Sequence, residues 1–136
     1  MPEPPPEITE FVNPQMPLGT TLGIRTFGRP DEVAATLEWA PELCTTGGVL
    51  HGGVLMALAD SAGGVCAFLN LPTGARTATI ESKTNFFSPV REGEVRARSR
   101  PIHRGKTTIV VETDLHDSTG RHVARTTQTQ AILSAD

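Results

Sequence analysis

The sequence predicts an α+β domain, an antiparallel sheet wrapped around one long central helix. Three observations carry that reading. From Leu43 to Ala75 the only formally charged side chain is Asp60, and inside this stretch apolar residues recur at helical spacing from Gly53 to Leu69. Two strand-like runs precede the helix and four follow it, each bounded by turn residues. The 136 residues have a mass of 14.5 kDa, the size of one domain that buries roughly two-thirds of its unfolded surface.

Taken in order, Thr21 to Phe27 reads as a strand ended by Gly28-Arg29-Pro30-Asp31. Val33 to Trp39 follows, with Val33, Ala35, Leu37 and Trp39 on one face at period two, and Pro41 stops it. In the helix, Leu55, Leu58, Ala59, Ala62, Val65, Cys66 and Leu69 recur at three and four, and Asn70-Leu71-Pro72 terminates it. A membrane span is rejected for this stretch, because it holds Asp60 and three glycines and has no basic flank. The remaining strands are Arg76 to Ser88, Val90 to Ile102, Lys106 to His116 and Arg121 to Leu133. Tight turns between them predict a run of hairpins. A helix apolar on nearly every face must be wrapped by that sheet, or by the sheet and a partner chain.

Residues 1–17 are expected to form a flexible, proline-rich lead-in, and residues 18–136 a single domain. The start MPEPPPEITE lacks a basic n-region and an apolar stretch, which predicts a cytoplasmic protein. Hydrophobic residues at 38% and charged residues at 20% exclude a disordered chain. Twelve basic against fifteen acidic side chains give a net charge of −3, which offers no electrostatic case for nucleic acid. Cys66 sits in an apolar run and reads as a buried hydrophobe; Cys44 fits either environment. The four histidines and two cysteines lack zinc-ligand spacing, so neither a metal nor a cofactor is expected.

Asp60 is the residue to explain. Its helical neighbours are Met56, Ala57, Gly63, Gly64 and Ala67, a strip mostly free of large side chains. Each mid-helix glycine costs ~1 kcal/mol relative to alanine, and close approach of another backbone or a ligand is the usual compensation. An acid on such a face is expected to be partly desolvated, which suits a general base. A cap or a pairing with an arginine of the sheet accounts for it equally well. At the helix start, Leu50-His51-Gly52-Gly53 presents N–H groups without intrahelical partners at the positive dipole end. That is an oxyanion site in the physical sense, or merely a tight strand-to-helix turn. Eight residues separate Gly52 from Asp60, roughly 12 Å along one helix, too far for one carbonyl to reach both. Two antiparallel helices about a two-fold axis bring one chain's Gly52 near the other's Asp60.

The run His51-Gly52-Gly53-Val54-Leu55-Met56-Ala57-Leu58-Ala59-Asp60-Ser61-Ala62-Gly63-Gly64 resembles the helix signature of hotdog-fold thioesterases of the phenylacetate-degradation (PaaI-like) group. Asn85-Phe86-Phe87-Ser88-Pro89 with Glu92-Gly93-Glu94, His103-Arg104-Gly105-Lys106, and Gly120-Arg121-His122-Val123-Ala124 are similar to that family's later strands, so the resemblance spans about residues 33–133. It implies a hotdog fold, a homodimer or dimer of dimers, and hydrolysis of an acyl-CoA thioester. By position it implies Asp60 as catalytic base or nucleophile, the Gly52 N–H as oxyanion donor, and His51 as a residue that positions the thioester beside Gly53. Thr79 falls where related enzymes place a hydroxyl near the reacting water. Thr45 stands where relatives often carry Asn or Gln, a departure that leaves its role open. Arg104 and Lys106 are the first choice among the basic residues for the CoA phosphates; the rival reading is an ordinary solvated charge. Phe86, with Phe68, Phe87 and Leu71, lines an acyl pocket or packs the core. Two other functions fit less well. A non-catalytic acyl-CoA-binding module needs no acid at position 60, and a dehydratase or hydratase would use His51 with Asp60.

Overall fold

The computed structural model describes residues 4–134; the first three residues of the expected lead-in and the last two of the chain lie outside it. Seven strand and helix segments build the body of the domain: β1 (Arg25–Arg29), β2 (Glu32–Glu38), α3 (Gly52–Phe68), β3 (Arg76–Phe86), β4 (Glu94–Arg104), β5 (Thr108–His116) and β6 (His122–Leu133). Two short helices, α1 (Thr9–Val12) and α2 (Pro17–Leu22), precede them. The strands form one antiparallel sheet in the order β1-β2-β4-β5-β6-β3, and α3 packs against all six. This is the hotdog arrangement that the sequence predicts.

The inward faces of the strands meet the helix. Leu37, Val95, Ala97, Val111 and Leu115 are buried, and they close on Leu55, Leu58, Ala59, Ala62 and Cys66 of α3. Both cysteines are free thiols. Desolvation among these side chains pushes the Cys66 thiol up to about 12, so it is an inert packing group.

Four expectations need correction. The first strand is shorter than predicted, because Pro17 opens a helix and Gly23, at φ 70°, closes it in the left-handed cap conformation. Gly28 does not end that strand. It lies within β1, where a Cβ would meet Ile8, Leu69 and Val33 at 3.0–3.3 Å. The strand predicted from Val90 starts at Glu94, after a turn at Gly93 with φ 77°. It extends through Pro101, tolerated there because β2 pairs with β4 only as far as Ser99, so no strand on that side needs a donor. Finally, β3 does not form a hairpin with β4. Residues 87–93 cross the helix N-terminus, held by Phe87 N–H to Val123 O at 2.7 Å and by Leu50 N–H to Val90 O at 2.9 Å. β3 pairs with β6 instead and becomes the sheet edge.

The segment ahead of the domain makes specific contacts where loose packing was expected. Val12 is buried, Asn13 donates to Ile24 O at 3.1 Å, and Glu7 accepts from Arg25 at 2.8 Å. Thr9 Oγ1 accepts the Thr26 N–H at 2.9 Å.

On the sheet's outer face Asp114 accepts from His122 at 2.7 Å and from Arg125 at 2.8 Å. Burial pushes this carboxyl up, but the hydrogen bonds and charges of Arg125 and His122 outweigh burial and hold it below its ordinary value of 3.8. Its contribution to stability is complete above about pH 5 and is lost as the pH falls through the depressed value. Asp114→Asn therefore destabilises at neutral pH, and the gap to the native protein narrows on acidification; thermal melts across that range check it. Leu58 is fully buried at the centre of the helix. Leu58→Ala is expected to cost about 2–5 kcal/mol in denaturant unfolding.

Candidate functional site

Helix α3 begins where two bends pin the chain. Gly47 and Gly48 take φ of 79° and 72°, and the Gly47 and Gly48 carbonyls accept from Arg91 at 3.1 Å and from Trp39 Nε1 at 3.0 Å. Thr45 N–H closes the loop on Val49 O at 2.8 Å, and His51 N–H bonds Leu43 O at 3.0 Å. His51 is the N-cap: its Nδ1 accepts the Gly53 N–H at 2.8 Å. The Gly52 N–H, at the first helical position, has no acceptor among the described residues. Gly52 lines a hollow of about 380 Å³ together with Thr45, Leu55, Phe86, Phe87 and Pro89, among others. A Cβ on Gly52 would stand 3.3 Å from the Phe86 ring.

Asp60 opens elsewhere. It lies in a separate groove of about 300 Å³ with Thr79, Thr77, Gly64 and Gln130. The groove's other wall is apolar: Phe11, Val12, Met16, Val65 and Phe68, with the Phe11 and Phe68 rings 6.0 Å apart. Among the described residues Asp60 is the only ionisable one lining it. Within one chain the carboxylate is exposed, not desolvated as the sequence suggested. The physical reason is the sheet's reach. It covers the α3 stripe of Leu55, Leu58, Ala62 and Cys66, but it ends at β3 and leaves Met56, Asp60 and Phe68 uncovered.

The structure thus brings Thr79 to Asp60, and Thr45 and Phe86 to Gly52, but does not bring the two groups together in one chain. Arg104 is the last residue of β4 and Lys106 lies in the turn that follows, both exposed; Thr107 O of that turn accepts the Ile132 N–H, and Ile132 pairs with Thr77 of β3. Gly53 is exposed beside His51. The two mid-helix glycines have different neighbours. Gly64 has open space around it, whereas a Cβ on Gly63 would fall 1.6 Å from Gln128 Oε1. A side chain, not the expected backbone or ligand, is what Gly63 accommodates.

Two residues escaped the sequence reading. Gln128 Nε2 donates to Asp60 Oδ1 at 3.2 Å, and Gln130 Nε2 donates to Thr79 Oγ1 at 2.7 Å. Their signal is the run Thr126-Thr127-Gln128-Thr129-Gln130, which places polar side chains on the inward face of β6 where the helix calls for apolar ones.

Comparison with known proteins agrees with this architecture. A family model described as the thioesterase superfamily matches residues 47–124. A protein of Mycobacterium tuberculosis is 31% identical over 127 residues, covering 90% of this chain and 91% of that one. The 1,4-dihydroxy-2-naphthoyl-CoA hydrolase of Escherichia coli is 34% identical over 86 residues, 63% of each chain. Among solved structures, a thioesterase from Haemophilus influenzae superposes with a TM-score of 0.87 at 29% identity, covering 94% of this chain and 92% of that one. With the sheet order, the enclosed helix and the matched helix signature all in agreement, the chain belongs to the thioesterase superfamily of hotdog-fold thioester hydrolases.

Proposed function

We propose that this protein is an acyl-CoA thioesterase of the PaaI-like kind, working as a homodimer or dimer of dimers with Asp60 and Gly52 supplied to each site by different protomers. The observation that carries the reading is the separation of two half-sites along one helix. Asp60 and Thr79 line one hollow, and Gly52, whose N–H has no acceptor among the described residues, lines another. Roughly 12 Å of helix lies between them. Antiparallel apposition of two α3 helices about a two-fold axis would unite one of each. It would also cover the stripe that the sheet leaves bare, together with the exposed edge strand β3 and its Ile80.

In such a site the thioester carbonyl oxygen accepts the Gly52 N–H, whose dipole end stabilises the charge that develops on it. Asp60 takes the proton from an attacking water, with the Thr79 hydroxyl as a hydrogen-bond partner for that water. The tetrahedral intermediate then collapses, the C–S bond breaks, and CoA leaves as the thiol once it is protonated. Attack by Asp60 itself, through a mixed anhydride that water opens, uses the same groups. His51 holds the helix entry and so the Gly52 N–H. Thr45 borders the oxyanion side. Arg104 and Lys106 serve as solvent-facing cations for the CoA phosphates. The apolar wall of Phe11, Met16 and Phe68 suits an apolar or aromatic acyl group, which accords with the naphthoyl thioester in the name of the Escherichia coli relative.

The dehydratase alternative is weaker, because His51 Nδ1 is committed to the Gly53 N–H and His51 lines neither of the two hollows. A binding module with no chemistry leaves the acid in the groove unexplained.

The expected result for Asp60→Asn is a loss of thiol release from acyl-CoA substrates of roughly 10²–10⁴-fold with the fold retained. Turnover equal to the native protein removes Asp60 from the mechanism. Light scattering at micromolar concentration is expected to return at least twice the chain mass of 14.5 kDa; a monomer there ends the shared-site reading.

A further inference from the structure

We infer that Gln128 and Gln130 are positioning residues for the thioesterase site, a second pair of groups that hold Asp60 and Thr79 in register. The inference rests on the reading of Asp60 and Thr79 given above, and adds two residues that act through those side chains. Both glutamines are 1% exposed, on the face of β6 that meets the central helix. A buried amide there is harder to accommodate than leucine or methionine, since each of its polar atoms needs a partner.

Gln128 does not obtain all of its partners. Its Oε1 is buried without a hydrogen bond, and it lies against Gly63 so closely that no side chain fits at that position. Two features unfavourable to stability, a glycine in mid-helix and an unsatisfied amide oxygen, therefore meet at one point. What they secure is the bond from Gln128 Nε2 to Asp60 Oδ1 at 3.2 Å. The donor sense is fixed by chemistry, because a carboxylate only accepts. Asp60 Oδ2 has no donor among the described residues, so one oxygen is held and the other is left for the reaction.

Gln130 repeats the device two residues on. Thr77 Oγ1 shares its one proton between Ala131 O at 2.9 Å and Gln130 Oε1 at 3.0 Å, and Gln130 Nε2 donates to Thr79 Oγ1 at 2.7 Å. With an acceptor lone pair of Thr79 already occupied, its O–H remains to donate into the groove. Alternate residues of one strand share a face, so a single strand delivers both amides, one to the acid and one to the hydroxyl. Gln128 is not part of the groove lining, and Gln130 borders it with its amide bonded to Thr77 and Thr79; each acts through the residue it holds.

The test uses the full chain, with acetyl-, hexanoyl- and benzoyl-CoA as probes and thiol release as the readout. Gln128→Met keeps the length of the side chain and removes both polar atoms. It is expected to lower kcat at least tenfold, leave KM within twofold, and leave the Tm unchanged or raised. That combination separates positioning from structural support, since a glutamine kept for stability loses Tm when replaced. Gln130→Met and Thr79→Val are expected to lower kcat by similar factors, and the double variant to fall no further than either alone. Native kcat in Gln128→Met, a clear drop in its Tm, or independent losses from Gln130→Met and Thr79→Val overturns the inference. Asp60→Asn is run in parallel. If it turns over normally, or if the native chain releases thiol from none of the probes, the underlying functional reading fails. If Asp60→Asn is inert while Gln128→Met is fully active, only the positioning role fails.

Discussion

A six-stranded sheet does not close around a helix, and the stripe of α3 that it leaves uncovered governs the rest of this structure. The strands reach from β1 at one edge to β3 at the other and bury Leu55, Leu58, Ala59, Ala62 and Cys66. Met56, Asp60 and Phe68 remain outside that embrace. An acid can sit on this helix because one face is not core, and a helix otherwise so apolar can carry it because burial on the other faces supplies the stability. Fully burying a leucine contributes about 1.5–3 kcal/mol, so the inner face outweighs the ~1 kcal/mol cost of each mid-helix glycine.

The groove on the uncovered stripe has walls of opposite character, each with its own origin in the chain. The apolar wall comes from the N-terminal segment, where Val12 is anchored in the core and Phe11 is left to meet Phe68. The polar wall comes from β3 and from the inward face of β6. Along β6 that face changes from Val123 and Ala124 to Thr126, Gln128 and Gln130. The change falls where Gln128 bonds Asp60 and Gln130 bonds Thr79. The polar row continues across the sheet from Thr126 to its partner Thr113, whose hydroxyl bonds Ser99.

Much of this was legible in the residues. The helix was readable because its apolar spacing persists through 17 residues with a single acid to interrupt it. β5 was readable because Ile109, Val111, Thr113 and Leu115 alternate without a break. The first strand is shorter than its residues suggest because Thr21 and Leu22 suit a strand in isolation; Pro17 and Gly23, at the two ends of α2, outweigh that preference. The β3–β4 connection was misread for a different reason. A turn sequence such as Pro89 to Gly93 states that the chain bends, not which strand it pairs with afterwards.

By itself the sequence determined the fold class, the long central helix, the lone acid at its centre and the glycine-rich turn at its start, because each depends on residues near one another in the chain and on periodicity. Only the tertiary structure decided that β3 lies at the edge against β6, that Gly63 makes room for Gln128, and that Asp60 and Gly52 open into separate hollows. Those facts join residues as far apart as Asp60 and Gln128, and pairings at that distance depend on how strands stack and which volumes remain to be filled. Local preference carries no record of either.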